Sequence, residues 1–169
     1  MQSKNNSYDI TITALMSSLA LIFSYVEAII PFNAGIPGVK LGIANIVTVI
    51  ALYKLSIKHA AIVSFIRIMV AGFLFSGLFG AIYSLAGAAV SLIGMIFLKK
   101  TGKFSIAGVS MAGGVLHNLG QLLVASFLIK DLRIFFYFPI LLFSGLASGI
   151  AIGIAATLIM RVLPKNLHL

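Results

Sequence analysis

Asp9, Glu27 and Asp131 are the only acidic side chains in the sequence, and they stand far apart. General acid–base catalysis by paired carboxylates has no pair to use, and an aspartate-rich motif that would hold magnesium on a diphosphate is missing. There is no cysteine, so thiol nucleophiles and thiolate metal sites are excluded. His59, His117 and His168 are scattered, with no spacing that suits zinc. The glycine-rich stretch "GIPGVKLGIANIV", Gly35 to Val47, matches neither phosphate-binding glycine pattern and follows an apolar segment long enough for a helix rather than a strand. These residues point to a chain that is not an enzyme and uses no metal or cofactor.

The informative polar residues lie where they are costly. Arg67 falls about eight residues into an apolar segment, roughly 12 Å along a helix axis, close to the middle of a bilayer. An ionisable side chain at that depth marks a functional site by default. A guanidinium tied to helix carbonyls, or one paired with Glu27, would also account for it. In "VLHNLGQLL", His117 and Gln121 share a helical face, Asn118 lies beside them, and Gly120 leaves room. A polar patch converging with Arg67 on one cavity explains both groups, although hydrogen bonds between helices would also account for His117 and Asn118. Toward the opposite end from the amino terminus stand Glu27, Asn33, Lys40, Asn45 and Tyr83. Asn45 and Thr48 share a face below a connection carrying Pro31, Gly35, Pro37 and Gly38, which reads either as a lid over a ligand or as a tight helix connection.

The elements that position these residues follow from composition. Of 169 residues, 61% are hydrophobic and only 9% charged, and the mean hydropathy is +1.17. This is the usage of an integral membrane protein folded as a single domain over residues 1–169. Six apolar segments can be marked at about 10–30, 39–53, 59–75, 80–98, 105–129 and 134–160. A span needs about 20 apolar residues, so the second and third are short and the last two are long. Lipid demands that every backbone group be satisfied within the protein, and the alternating strands of an outer-membrane barrel are absent, so the expected fold is an all-α six-helix bundle. The first segment is too long for a cleaved signal and is expected to be retained.

Charge placement predicts the orientation. With the amino terminus inside, Lys4, Lys54, Lys58, Lys99, Lys100, Lys103, Arg161 and Lys165 lie on the inner side, against Lys40, Lys130 and Arg133 outside. Eight against three places both termini in the cytoplasm. The formal charge of +9 is therefore largely a topology signal. Basic residues spread over loop ends do not form a nucleic-acid-binding face.

Small residues predict how the helices meet. Gly145, Gly149 and Gly153 repeat every fourth residue, with Ala147, Ser148 and Ala151 beside them; Ser84, Gly87, Ala88 and Ser91 make a second such face. Both are expected to pack inside the bundle, where close backbone approach replaces the hydrophobic drive that lipid removes. Ala14, Ser17 and Ser18 form a third set, suited either to internal packing or to a partner protein.

Three stretches carry a resemblance. "PGVKLGIANIVTVIALY" (Pro37 to Tyr53), "YSLAGAAVSL" (Tyr83 to Leu92) and "GVSMAGGVLHNLGQLLVA" (Gly108 to Ala125) resemble the family labelled both Gx transporter and heptaprenyl diphosphate synthase component I. That family is similar to the substrate-binding S components of energy-coupling factor (ECF) transporters. The resemblance implies six membrane helices with both termini cytoplasmic, in a multi-pass protein of the bacterial plasma membrane. It implies a small-molecule ligand held near the outer face by some of Glu27, Asn33, Lys40, Asn45, Arg67, Tyr83, His117, Asn118 and Gln121. It also implies docking of Ala14, Ser17 and Ser18 on a transmembrane T subunit that works with two ATP-binding subunits. Here Ala14 is followed at four by Ser18 rather than a second alanine. The synthase label implies a second role, a non-catalytic membrane subunit of a polyprenyl diphosphate synthase, and hints at an isoprenoid or quinone precursor as the ligand. The basic residues Lys40 and Arg67 favour an anionic one.

Overall fold

A computed structural model describes residues 2–30 and 41–163. Six α-helices follow one another: α1 (Gln2–Ile29), α2 (Asn45–Lys54), α3 (Ile57–Ala71), α4 (Gly77–Thr101), α5 (Ile106–Ile129) and α6 (Phe138–Val162). A π-helical turn, Gly72–Ser76, joins α3 to α4, and a 3-10 segment, Leu132–Tyr137, leads into α6. No strand occurs among the described residues.

The described residues hold as many helices as there are apolar segments in the sequence, and the boundaries shift for local reasons. The first helix begins at Gln2 rather than near residue 10, because no glycine or proline interrupts the polar residues ahead of the apolar run. The second begins at Asn45 rather than 39. Gly42 takes φ +72°, and the Asn45 amide donates to the Gly42 carbonyl at 2.8 Å, closing a turn that a helix starting earlier would not allow. The expected helix positions 39 and 40 lie outside the described residues. Ser56 caps α3 by accepting from the His59 amide at 3.3 Å, and its hydroxyl meets His59 Nδ1 at 2.7 Å. The sixth helix starts at Phe138 rather than 134, with Pro139 in its first turn and the 3-10 segment taking up the preceding residues.

Four stretches are long and apolar enough to cross a membrane: Ser7–Ile29, Ile57–Thr101, Ile106–Ile129 and Leu132–Val162. The second of these is bent back on itself. Gly77 breaks the helix at φ +68°, and a Cβ on Gly72 would lie 2.5 Å from Ala81 Cβ. Nine residues along a straight helix span about 13.5 Å, so α3 and α4 form a hairpin closed at the π turn. The 10 residues of α2 reach about 15 Å, half a bilayer.

The packing order makes a closed ring. α3 touches α2 and α4, α5 lies between α4 and α6, and α6 returns to α2; α1 packs on α3 and α2. The two broadest interfaces are those of α5 with α6 and with α4. They are the faces built from glycine. A Cβ on Gly149 would lie 2.6 Å from Met111 Cα, one on Gly153 2.5 Å from Ala107 Cα, and one on Gly145 2.9 Å from the Gly114 backbone. The sixth-helix face therefore packs inside the bundle, as expected. On the other side of α5, a Cβ on Gly120 would meet the Ala86 carbonyl at 2.8 Å, and Ser91 donates to the Gly113 carbonyl at 2.8 Å. Val49, Leu52, Val109, Met95 and Ala156 fill the core between α2 and this trio. The Lys99 ammonium donates to the Leu52 carbonyl at 2.5 Å and sits 4.9 Å from the centre of the Tyr53 ring, closing the carboxyl end of α2 with a positive charge.

Candidate functional site: a polar cavity inside the helix ring

Within the ring lies a partly open cavity of about 600 Å³, within the range of small-molecule sites. All six helices contribute to its wall. Short α2 and the bent α3–α4 hairpin leave space that three full-length neighbours would otherwise fill.

Six of the nine residues singled out as ligand-binding candidates line it: Glu27, Asn45, Arg67, His117, Asn118 and Gln121. Two others, Asn33 and Lys40, lie outside the described residues. Tyr83, on α4, is half-buried and is not among the lining residues. Arg67 and the α5 cluster, inferred to fall at similar depth, thus share one cavity.

The polar contacts are specific. Arg67 Nη2 donates to Asn45 Oδ1 at 3.1 Å, joining α3 to the first residue of α2. Its Nε is buried with no hydrogen-bond partner among the protein groups described. The Glu27 carboxylate makes no ion pair with it and instead accepts from the Gly42 amide at 2.5 Å, tying the end of α1 to the turn that starts α2. Among the described residues, then, Arg67 is held neither by a salt bridge to Glu27 nor by a helix carbonyl. Thr48 and Ser64 hydroxyls pair at 3.1 Å one turn deeper. Asn118 Nδ2 donates to the Leu141 carbonyl at 2.7 Å, an interhelical bond that accounts for its amide while leaving the side chain on the cavity wall. The imidazole of His117 lies against α4, where a Cβ on Gly87 would be 3.0 Å from its Cε1.

Much of the hydroxyl lining escapes a reading of the sequence. Ser24, Ser64, Ser84, Ser91, Ser110 and Ser148 all face the cavity; several read as small packing residues, since serine at a glycine-like spacing serves either purpose. The π turn, whose Phe75 and Ser76 reach the cavity, escapes it too. Its signal is present in "AGFLFSGLFG", where glycines bracket an aromatic run.

The trio Ala14, Ser17 and Ser18 is divided. Ala14 and Ser18 are exposed on one face, where the Ser18 hydroxyl donates to the Ala14 carbonyl at 2.9 Å. Ser17 points into the bundle and is 4% exposed. At 3.6 residues per turn positions 14 and 18 nearly eclipse, whereas 17 and 18 diverge by about 100°.

No curated protein and no solved structure matches the chain. The family model described as heptaprenyl diphosphate synthase component I matches residues 16–159, from the second half of α1 to the end of α6. That match takes in every described cavity-lining residue, and the chain belongs to this family.

Proposed function

We propose that the chain is the substrate-binding membrane subunit, the S component, of an ATP-driven importer of the energy-coupling factor type. The supporting observation is the cavity of about 600 Å³ walled by all six helices and carrying Glu27, Asn45, Arg67, His117, Asn118 and Gln121. A helix bundle that served only as an anchor would gain nothing from a polar interior, since each polar group there is costly to keep away from water. In this reading all six helices lie in the plasma membrane with both termini cytoplasmic, as the distribution of basic residues favours. The ligand enters from the outer side, where Glu27 and Gly42 meet, and Asn33, Lys40 and Tyr83 serve the approach to it. The exposed Ala14 and Ser18 dock on a T subunit that works with two ATP-binding subunits. The chain itself performs no covalent step.

The family description suggests a second reading, a non-catalytic membrane subunit that anchors or feeds a polyprenyl diphosphate synthase. Affinity purification of the full chain from its own host separates the two. The importer reading expects ATP-binding and T subunits to copurify and mass spectrometry to find a small molecule carried with the chain. Recovery of a soluble prenyl synthase, with no ATPase, overturns it in favour of the accessory role.

A further inference from the structure

A guanidinium carries five N–H donors in one plane and accepts nothing. Arg67 uses one of them on Asn45 Oδ1 at 3.1 Å, which is its only hydrogen bond with the described residues, and its Nε is buried without a partner among them. No side-chain carboxylate of this chain forms an ion pair with it. Glu27 is engaged by the Gly42 amide, Asp131 pairs with Arg133 at the surface at 2.9 Å, and Asp9 lies on the first turns of α1, away from the cavity wall. Asn45 is a neutral partner: it orients the guanidinium fork and leaves its charge intact. A buried cation with unused coplanar donors is complementary to a planar or tetrahedral oxyanion, because paired charge-assisted bonds are about twice as strong as neutral ones. The cavity wall is apolar at Val49, Ile68, Leu92, Met95 and Ile152.

We infer that the cavity holds its ligand by an oxyanion, a carboxylate or a phosphate, seated on Arg67 and oriented by Asn45, with an apolar body running along α2, α4 and α6. This rests on the reading of the cavity as a ligand site. It assigns Arg67 a binding role and Asn45 a positioning role. Glu27, held at the Gly42 turn, is the one carboxylate among the described lining residues; its charge acts on Arg67 through space and disfavours a second anionic group on the ligand.

The test uses the full-length protein, labelled with ¹⁵N-arginine, in phosphatidylcholine nanodiscs. The Arg67 Nε–H resonance, assigned by its loss in Arg67→Lys, is followed while benzoate, phenyl phosphate, benzyl alcohol or benzylamine is added. Benzoate or phenyl phosphate is expected to shift it saturably, and the alcohol and amine to leave it in place. Whichever of the two anions binds more tightly identifies the oxyanion. Ligand-observed saturation transfer then reads the variants. Arg67→Lys weakens the anion about tenfold or more, Arg67→Gln removes the preference for anion over alcohol, and Asn45→Ala weakens binding while keeping that preference.

Equal binding of benzoate and benzyl alcohol, or no anion-dependent shift up to millimolar concentration, overturns the inference. If nanodiscs containing phosphatidylglycerol shift the resonance and abolish the benzoate response, the oxyanion site stands and its occupant is a lipid headgroup. The two proposals fail separately. A chain that copurifies with ATP-binding subunits but shows no anion preference loses the inference and keeps the importer reading. An anion-selective chain that copurifies only with a prenyl synthase does the reverse.

Discussion

The α4–α5–α6 half and the α1–α2–α3 half of the bundle are built differently. In the first, helices of 24 or 25 residues meet backbone to backbone, through Gly145, Gly149 and Gly153 on one side of α5 and Gly87 and Gly120 on the other. In the second, helices of 28, 10 and 15 residues meet through side chains: Arg67 to Asn45, Thr48 to Ser64, Glu27 to the Gly42 amide, and Ala20, Val47 and Val63 packed on one another. Where lipid supplies no hydrophobic drive, close backbone approach gives dispersion contact at every turn, whereas polar links give fewer contacts and leave space between them. The glycine half is a platform that carries His117, Asn118 and Gln121, and the other half brings Glu27, Asn45 and Arg67 to the same cavity.

The largest effect should come from breaking the platform. Gly149→Leu places a side chain where even a Cβ would lie 2.6 Å from Met111 Cα. It is expected to cost about 3 kcal/mol or more and to show as a large drop in thermal melting in nanodiscs. A mild result there would mean that the α5–α6 contact is looser than backbone packing requires. Arg67→Ala tests the other half. Its signature is loss of ligand binding and uptake with a smaller change in melting, because removal of a buried charge also removes its desolvation cost. His117→Ala is expected to lower ligand binding in the same assay; if both variants bind and transport as the parent does, the cavity is not the ligand site.

Asn118→Ala sits at the seam between platform and cavity. Losing its bond to the Leu141 carbonyl should cost about 1–2 kcal/mol in melting experiments. Ser56→Ala and Ser105→Ala remove equivalent caps of α3 and α5, and about 1 kcal/mol is expected from each. Equal losses would place the difference between the halves in their interfaces rather than their helix ends.

The smallest effect is expected outside both halves. The side-chain and then the backbone hydrogen bonds of Arg133 hold the Asp131 carboxyl below its ordinary range. A lowered value contributes stability above the ordinary carboxylate pKa, and that contribution is lost as pH falls through the lowered one. Asp131→Asn should therefore lower the melting temperature slightly at neutral pH, with the difference from the parent vanishing in acid.

Much of this contrast is legible in the residues alone. The every-fourth glycines of α6 mark the platform face because only close packing needs that spacing, and Arg67 with "VLHNLGQLL" marks the cavity because polar groups are expensive at that depth. Other features are not legible there. That Glu27 binds a backbone amide rather than Arg67 depends on the Gly42 turn, a three-dimensional event with no sequence period. The cavity serines look like packing residues because a hydroxyl and a methyl group occupy similar space. Composition groups Ser17 with Ala14 and Ser18, although the helical angle separates it.

The backbone contact between Gly114 and Gly145 has a further consequence for how this fold can be altered. Because that contact involves no side chain, its geometry does not depend on what the neighbouring residues carry. His117 and Gln121 line the cavity from the same helix, so their chemistry can be exchanged while the scaffold beneath them, with the Asn118 bond to the Leu141 carbonyl, stays in register. The bundle is thereby a frame that accepts new interiors, and redesign of its selectivity should begin at His117 and Gln121 and leave Asn118 and the glycines untouched.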